Sequence, residues 1–333
     1  PESGELVGEF LAYEADYAGG VRIATGDMDG DGIDEIITAP GKSHVPEIRV
    51  FRSRSVLDPD DWEELTEFRT LAYATDFAGG VNIAVADVDG DGRNDIVTTP
   101  SRGAVETKVF RNVFGDGDDP IEDEPYRQFL AFGSDFISGS VVALADMNSD
   151  GLADVVIGDA GGMRPTIHVF DVADTPVIID TFLPFSADMR GGVSVDLGDI
   201  NGDGVPDLVT GTGYRGQSAV EVLDGSSGEL LTEFTGYIDS NAPVRVARDG
   251  GLLDRIITAQ GPNGKTNQIR SFDLGIGDDG ELIAEFDPLA TLDLNELDDP
   301  RLLGAYFLAL LDFNESPVPM GEESPPTGDE GTN

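Results

Sequence analysis

The sequence predicts an all-β protein, a β-propeller of five or six four-stranded blades. One acidic loop recurs four times along the 333-residue chain, with first aspartates 60, 59 and 53 residues apart. Each copy of the repeat contains short β-rich segments separated by turn residues, and helical periodicity is absent. The segment that follows each acidic loop is apolar on both faces, which is the environment of a strand packed between two sheets. Self-similarity at this period is typical of solenoids and propellers.

The first copy of the repeat predicts four strands, at Phe10–Tyr13, Val21–Gly26, Glu35–Thr38 and Glu47–Phe51. The segments that are apolar on both faces are Ile36–Ile37, Ile96–Val97, Val155–Ile157 and Leu208–Val209. An aromatic residue closes the fourth segment in three copies, and we expect these side chains in the core between blades rather than at a ligand site. They are Phe51, Phe110 and Phe170.

A fifth copy, Val244–Gly261, keeps the flanking strands, but its loop is about three residues shorter and lacks the acidic spacing. We therefore predict no calcium there. Beyond it, Glu285–Leu289 resembles another outer strand. Gly304–Asn314 aligns with an inner strand, although Asp299 and Pro300 would also suit the start of a short helix. We favour the strand.

The number of blades stays open at this point. Either five blades close with an N-terminal strand near Glu5–Tyr13, or both termini share a sixth blade. We assign residues 1–314 to the propeller and residues 315–333 to an acidic, proline-rich tail or linker. The stretches Asp58–Glu64 and Gly115–Pro120 are expected to be loops between strands.

Composition excludes several functional classes. The formal net charge is -45, so binding to a nucleic acid backbone is disfavoured by repulsion. The chain has no cysteine, which excludes disulfides, zinc–thiolate sites and a thiol nucleophile. The longest apolar stretch, Leu302–Leu311, is too short to span a membrane. The acid excess suits either a salty or calcium-rich environment, or simple solubility.

The four acidic loops read DMDGDGIDE, DVDGDGRND, DMNSDGLAD and DINGDGVPD. Each has oxygen-bearing side chains at positions 1, 3, 5 and 9, glycine at position 6 and a backbone carbonyl available at position 7. Such a turn can wrap a hard divalent cation, and we predict about four Ca²⁺ ions. The predicted ligands are Asp27, Asp29, Asp31, Ile33 and Glu35; Asp87, Asp89, Asp91, Arg93 and Asp95; Asp146, Asn148, Asp150, Leu152 and Asp154; and Asp199, Asn201, Asp203, Val205 and Asp207.

These loops are not EF-hands, which require a bidentate glutamate at position 12. That position holds Thr38, Thr98, Ile157 and Thr210. A plain Asp/Gly turn without metal is the alternative, and four matched copies disfavour it. The first two loops carry four ligand carboxylates and the last two carry three. From this charge count we predict that the second loop binds calcium most tightly and the third and fourth least tightly.

The turns YAGG (Tyr17–Gly20), FAGG (Phe77–Gly80) and TAPG (Thr38–Gly41) surround these acidic loops. Together they resemble the FG-GAP/VCBS repeat family, which includes the propeller of integrin α-subunits and many bacterial surface proteins. The resemblance covers roughly residues 5–275. It implies a β-propeller with calcium bound in hairpin loops on one face, and the fifth copy departs from the pattern.

The function expected is that of a non-catalytic, extracellular or cell-surface calcium-binding module for adhesion or assembly. Its partner would be a protein, a glycan or another copy of the chain. A lectin is the alternative, with Trp62, or less strongly Tyr214 and Arg215, as sugar contacts. We favour Trp62 as an anchor that packs a loop against its blade.

A polysaccharide-degrading enzyme is the less favoured alternative. Only two histidines exist, and His168 lies within a predicted strand, where a packing role is expected. His44 lies in a loop of the first copy. The sequence has no Ser-His-Asp spacing, phosphate-binding loop or histidine metal cluster. The calcium loops account for most of the paired carboxylates.

Overall fold

The computed structural model describes residues 9–293, except for 55–60, 104–105, 116–119, 123, 239, 250–254, 262–267, 273, 277–281 and 285–289. Within these ranges the chain forms five sheets of the propeller type, each built from antiparallel strands. We call them blades 1–5 in chain order. The prediction of an all-β propeller is confirmed, with five blades.

The strands follow one another through the blades in chain order. Blade 1 contains β1 (Val21–Gly26), β2 (Glu35–Pro40), β3 (Glu47–Ser53), β4 (Trp62–Glu64) and β5 (Thr70–Leu71), with one 3-10 turn at Thr66–Phe68. Blade 2 contains β6 (Val81–Ala86), β7 (Asp95–Pro100), β8 (Thr107–Phe110) and β9 (Arg127–Phe129). Blade 3 contains β10 (Ser140–Ala145), β11 (Asp154–Asp159), β12 (Ile167–Asp171) and β13 (Val177–Phe182).

Blade 4 contains β14 (Val193–Gly198), β15 (Asp207–Thr212), β16 (Ala219–Leu223) and β17 (Leu230–Thr235). Blade 5 contains β18 (Val244–Asp249), β19 (Arg255–Gln260), β20 (Gln268–Phe272) and β23 (Ala290–Asp293). The hairpin of β21 (Leu274–Ile276) and β22 (Leu282–Ala284) forms a separate two-stranded sheet.

The acidic loop joins the first and second strands of blades 1–4. In blade 1 the register pairs Gly26 with Glu35 beside the loop and Val21 with Pro40 at the other end. In blade 5 the first strand ends at Asp249 and the second begins at Arg255, so five residues connect them instead of eight. The shorter fifth loop predicted from the sequence is therefore confirmed.

Among the described residues, each pair of blades that are consecutive in the chain encloses its own hydrophobic cluster, and the second strands of blades 2–4 each contribute to two of them. In β7, Ile96 packs toward blade 1, whereas Val97 packs toward blade 3. All six residues of β7, β11 and β15 are buried. The aromatics Phe51, Phe110 and Phe170 are also buried, as predicted. The segments that are apolar on both faces thus lie between sheets.

Three predictions about single elements are wrong. Phe10–Tyr13 forms no strand, although Phe10 packs 4.8 Å from the rings of both Phe51 and Trp62. Trp62–Glu64, predicted as loop, is a strand that pairs with β3. The outer strand also ends a blade rather than beginning the next, since Arg127–Phe129 pairs with β8 of blade 2.

The predicted segments Glu285–Leu289 and Gly304–Asn314 lie outside the described residues, as does the tail at 315–333. No helix in the described part of the chain has both the length and the apolar character that a membrane span requires.

The alternation of strand direction gives the propeller two distinct faces. The acidic loops follow the first strands and lie on one face, which we call the acidic face. The Gly-Gly turns precede the first strands and lie on the other, which we call the glycine face. There, the turns that precede the first strands of blades 2–5 each accept a backbone bond from the preceding blade, as from Ser43 N to Ala78 O (3.1 Å) and from Gly103 N to Ile137 O (3.0 Å).

Candidate functional site

In all four acidic loops the aspartate at position 1 accepts a hydrogen bond from the N–H of the glycine at position 6, and in the first, second and fourth loops it also accepts one from position 4. In the first loop, Asp27 accepts bonds from the backbone N–H of Gly30 (2.7 Å) and of Gly32 (2.9 Å). The second loop repeats both distances at its own position 1. Both glycines have positive φ, 79° and 85°, so the turn uses backbone angles that favour glycine. The first carboxylate therefore organises the whole loop.

The acidic residue at position 9 begins the second strand and faces inward beneath the loop. Asp95 is fully buried and accepts hydrogen bonds from Val88 N (3.1 Å) and Asn112 N (2.9 Å). Position 9 accepts the same bond from the residue at position 2 in the other three loops. A carboxylate in this position closes the base of the loop.

Positions 3 and 5 carry further oxygen-bearing side chains within the turn. Asp29 accepts a bond from Asp31 N (3.2 Å), and Asp31 in turn accepts one from Ile33 N (2.8 Å). Carboxylate oxygens from positions 1, 3 and 9 lie within 4.8 Å of one another in the first two loops, Asp27, Asp29 and Glu35 in one and Asp87, Asp89 and Asp95 in the other. Oxygen donors gathered in this way fit a hard divalent cation.

The position 9 carboxyls have raised pKa values. Burial, with the nearby carboxylates of the same site adding to it, raises the pKa of Glu35 to about 7 and that of Asp95 to about 7. The pKa of Asp154 is raised to about 6, and that of Asp207 is also raised, again mainly by burial. A bound cation would offset this repulsion, which supports the fit of the site to a metal.

The third strand adds a charged residue beside each loop, which the loop sequence alone did not indicate. Arg52 Nη1 lies 3.2 Å from Asp29 Oδ2, and Arg111 Nη1 lies 3.7 Å from Asp89 Oδ2. In blades 3 and 4, where position 3 is asparagine, the equivalent residue is an aspartate. Asn201 Nδ2 donates to one of these, Asp224 (2.8 Å). The other is Asp171, whose charge contributes to the raised pKa of Asp154 after burial.

These residues reverse the order of negative charge among the sites, although every site remains negative. Blades 1 and 2 place an arginine beside four loop carboxylates, whereas blades 3 and 4 place a fourth carboxylate beside three. The repeats in the sequence do mark these residues, because each directly follows an aromatic residue or a leucine near the end of the third strand. They are Arg52, Arg111, Asp171 and Asp224.

Neighbouring loops on the acidic face contact one another through the residue at position 8. Asn94 of the second loop donates through Nδ2 to Asp27 O (3.2 Å), and Ala153 N of the third loop donates to Asp87 O (3.0 Å). Asn112 Nδ2 adds a bond to Met28 O (2.8 Å). In the fourth loop, position 8 is Pro206, which has no N–H to donate.

The third loop contains a strained position that sequence reasoning missed. Ser149 has φ 61°, whereas the equivalent glycines 30, 90 and 202 have φ of 79°, 82° and 78°. We expect Ser149→Gly to stabilise the protein by about 0.5–1 kcal/mol, because relief of left-handed strain outweighs the added chain entropy of glycine. Chemical denaturation in saturating calcium measures the change.

The matched control is the reverse change in the fourth loop, Gly202→Ser. A Cβ at Gly202 meets no atom within 4 Å, so this substitution tests the backbone angle without a steric clash. It should destabilise the protein by about 1 kcal/mol. Equal effects of the two substitutions, in sign and size, would contradict the assignment of strain to Ser149.

The remaining candidate residues lie apart from the acidic loops. His168 lies on β12, where its Nδ1 is 2.9 Å from Thr181 Oγ1 and its ring packs near Phe132. His44 Nε2 is 2.9 Å from Glu14 Oε2 on the glycine face. Trp62 packs against Phe10, with ring centroids 4.8 Å apart, as expected of a packing anchor.

Tyr214 and Arg215 lie on the glycine face, where Arg215 N donates to Asn241 O of the next blade (3.1 Å). Tyr214 is 47% exposed and lines a cavity at the propeller axis.

Comparison with known families and proteins agrees with this architecture. Residues 27–98 match the FG-GAP-like repeat, and residues 191–223 match the FG-GAP repeat. The chain is 27% identical over 250 residues to integrin alpha pat-2 of Caenorhabditis briggsae, a match that covers 62% of this chain and 19% of that protein. It is 34% identical over 111 residues to integrin alpha-6 of Gallus gallus, covering 30% of this chain and 10% of that protein. The chain thus spans about a fifth or less of these relatives.

Among solved structures, the rhamnogalacturonan lyase PL11 of Bacillus licheniformis aligns at TM-score 0.45 and 14% identity, over 80% of this chain and 50% of that one. An endo-arabinase from Bacteroides thetaiotaomicron aligns at TM-score 0.44 and 14% identity, over 78% and 94%. The structural likeness is too weak to bear on activity. The family matches cover the first two acidic loops and the fourth, so these parts of the chain are similar to FG-GAP repeats.

Proposed function

We propose that this chain is a calcium-braced, non-catalytic propeller that acts outside the cell as an adhesion or assembly module. The observation that carries the proposal is the recurrence of one hydrogen-bonded acidic loop in blades 1–4. Each loop collects several carboxylates in one turn, an arrangement that costs free energy unless a cation offsets the repulsion. The FG-GAP repeats and the similarity to integrin alpha chains support the adhesion role.

Calcium suits these loops better than magnesium. The donors are carboxylates, side-chain amides and backbone carbonyls in a flexible turn, whereas magnesium demands near-octahedral geometry and keeps its waters. About four ions would bind, one in each acidic loop. Sites of moderate affinity would fill at the millimolar calcium found outside cells, which supports the extracellular or cell-surface location.

The residues of the third strand bear on the predicted order of affinity. Loop charge alone favours the second loop over the third and fourth. Arg111 opposes a cation at the second loop, whereas Asp171 and Asp224 attract one at the third and fourth. Arg111 also pairs with Glu122, which weakens its opposition to a cation, and we expect the four affinities to be more similar than the loop sequences imply.

The partner would be a protein or a glycan at the cell surface, or a second copy of the chain. The glycine face is the more suitable contact surface, because the acidic face would be occupied with calcium. The exposed Tyr214 on the glycine face supports a lectin as the second candidate, since aromatic rings provide stacking surfaces for sugars. Trp62 does not support it, because its ring is packed against Phe10.

The test has two parts. Isothermal titration with calcium chloride, after removal of bound metal, should give about four sites, and titration with magnesium chloride should give much weaker binding. The calcium-loaded protein is then applied to a glycan array, to immobilised extracellular matrix proteins and to itself in analytical ultracentrifugation. Calcium-dependent binding to any of the three supports the module.

Catalysis would overturn the proposal. The calcium-loaded protein is incubated with polygalacturonate, rhamnogalacturonan and arabinan, and the products are followed by reducing-end and unsaturated-uronate assays. Turnover of any of these polysaccharides by the purified wild-type protein would show that the chain is an enzyme. If the protein binds no calcium, the proposal that calcium braces the propeller also fails.

A further inference from the structure

The five first strands surround the propeller axis and place equivalent residues around one cavity on the glycine side. The second residue of each first strand lies at the same register position, opposite the next-to-last residue of the second strand. All five line the cavity, together with Tyr214 and Ser101. They are Arg22, Asn82, Val141, Ser194 and Arg245. Blades 1 and 5, at opposite ends of the described chain, therefore both present arginine here.

The polar members of this ring are held in place across blade boundaries. Arg22 Nε donates to Asn82 Oδ1 (2.8 Å), which also accepts from Ser101 Oγ (3.0 Å). Asn82 Nδ2 donates to Ser140 O of blade 3 (2.5 Å), and this orients its carbonyl oxygen toward Arg22. On the other side, Ser194 Oγ donates to Val244 O (2.6 Å), directly before Arg245. Hydrogen bonds between blades thus hold the polar residues of this ring in a defined orientation.

The charge of this cavity is opposite to that of the chain. None of the described residues that line it is acidic, although the whole chain carries a net charge of -45. Burial, and then the positive charge of Arg245, lower the pKa of Arg22 to about 9, so Arg22 remains charged at neutral pH. Asp196 lies two residues further along β14 and accepts a bond from Arg248 N (2.6 Å).

Arg22 and Arg245 both line this cavity, and the positive charge of Arg245 acts on Arg22, so the cavity presents two guanidinium groups to a ligand. The cavity measures about 90 Å³, several times the ~10–15 Å³ that one water requires and less than the ~150 Å³ that accommodates benzene. A compact ion fits this size, whereas a bulky ligand would reach it only with a terminal group. Guanidinium matches the planar geometry of carboxylates and the oxygens of sulfate through paired N–H donors.

We propose that the axial cavity of the glycine face binds one compact oxyanion, a carboxylate or a sulfate group, between Arg22 and Arg245. This site lies on the opposite face from the acidic loops and is independent of calcium. The oxyanion is either a free ion or the acidic group of a sugar. In the second case the exposed ring of Tyr214 lies beside the cavity to pack against the sugar.

The test is titration calorimetry of the calcium-loaded protein with sodium sulfate, sodium acetate and sodium glucuronate at constant ionic strength. Phosphate is omitted because it precipitates calcium. The variants are Arg22→Gln and Arg245→Gln, and the matched control is Arg102→Gln, which removes an exposed arginine from the same face. Circular dichroism and the calcium-dependent melt verify that each variant is folded.

We expect one saturable site per chain in the wild type and in Arg102→Gln, and binding that is weaker by roughly tenfold or more in each cavity variant. Tighter binding of glucuronate than of acetate, lost in Tyr214→Ala, would identify the sugar-borne acid as the ligand, and equal binding would identify the free ion. Absence of saturable binding in the wild type would overturn the proposal. Undiminished binding in either folded cavity variant would overturn it equally.

Discussion

Removal of calcium is expected to lower the melting temperature of this protein by a large amount. A site held at 100 times its dissociation constant adds ~2.7 kcal/mol, so four filled sites would add about 11 kcal/mol. For a domain of this size that corresponds to a shift on the order of 20 °C. The effect follows from the clustered carboxylates of the acidic loops, whose burial beneath the turn raises the pKa of Asp95 to about 7. Calorimetry in millimolar calcium and in chelator measures it.

Two controls separate calcium binding from ionic strength. Magnesium chloride at the same concentration should restore much less of the lost stability, because the turn does not enforce octahedral geometry. Sodium chloride at matched ionic strength should restore little, since screening acts weakly on buried charge. Equal melting curves in calcium and in chelator would show that the loops are empty or without structural importance.

Asp95→Asn is expected to remove one calcium ion and to destabilise the protein even without calcium. The carboxylate of Asp95 accepts from two backbone donors, Val88 N and Asn112 N, and is fully buried. An asparagine has one acceptor oxygen, so its NH₂ would face one of these N–H groups and leave it unsatisfied. That costs about 1–3 kcal/mol. Calcium titration should show one site fewer, and the melt in calcium should fall accordingly.

The matched control is Asp76→Asn, which makes the same charge change at an exposed position before the Gly-Gly turn of blade 2. Its calcium stoichiometry and melting curve should equal those of the wild type, because a surface charge away from partners contributes little. If Asp95→Asn retains the full number of calcium sites, position 9 is not a ligand and the assignment of the loop fails.

The strands beside the acidic loops could be predicted closely from the sequence. Val21–Gly26 was predicted with the bounds that the structure has, and Glu35–Thr38 extends by only two residues. These strands carry a strong local signal, because a glycine-rich turn and an acidic turn border an apolar run. Burial on both sides of the second strand was also correct, since only a strand between two sheets has apolar residues on both faces.

The outer strands were predicted less well, because their partners are distant in sequence. Phe10–Tyr13 matches the pattern of an outer strand but has no third strand before it to pair with among the described residues. Trp62–Glu64 is acidic and polar, yet it forms a strand because it pairs with Arg52 and its neighbours in β3. Edge strands depend on tertiary pairing more than on intrinsic preference.

The residues of the acidic loops could be predicted from the sequence, whereas the charged residues beside them could not. The carboxylates at positions 1, 3 and 9 of the first two loops lie close together, because these positions belong to one short turn. Arg52 and Asp171 could not be placed beside them without the register of the third strand, which brings residues some 20 positions apart into contact. The strain at Ser149 required a backbone angle, which only the structure provides.

The bonds between neighbouring loops on the acidic face have a consequence for how the ions bind. Asn94 and Ala153 each attach one loop to the backbone of the preceding loop. When a calcium ion orders one loop, the neighbouring loop therefore loses less conformational entropy on binding its own ion. Calcium binding to the first three loops should then be cooperative. By thermodynamic linkage, two neighbouring sites raise each other's calcium affinity by the same factor. Pro206 has no backbone N–H for the corresponding bond to the third loop, so the fourth loop should bind calcium as an independent site with a hyperbolic isotherm.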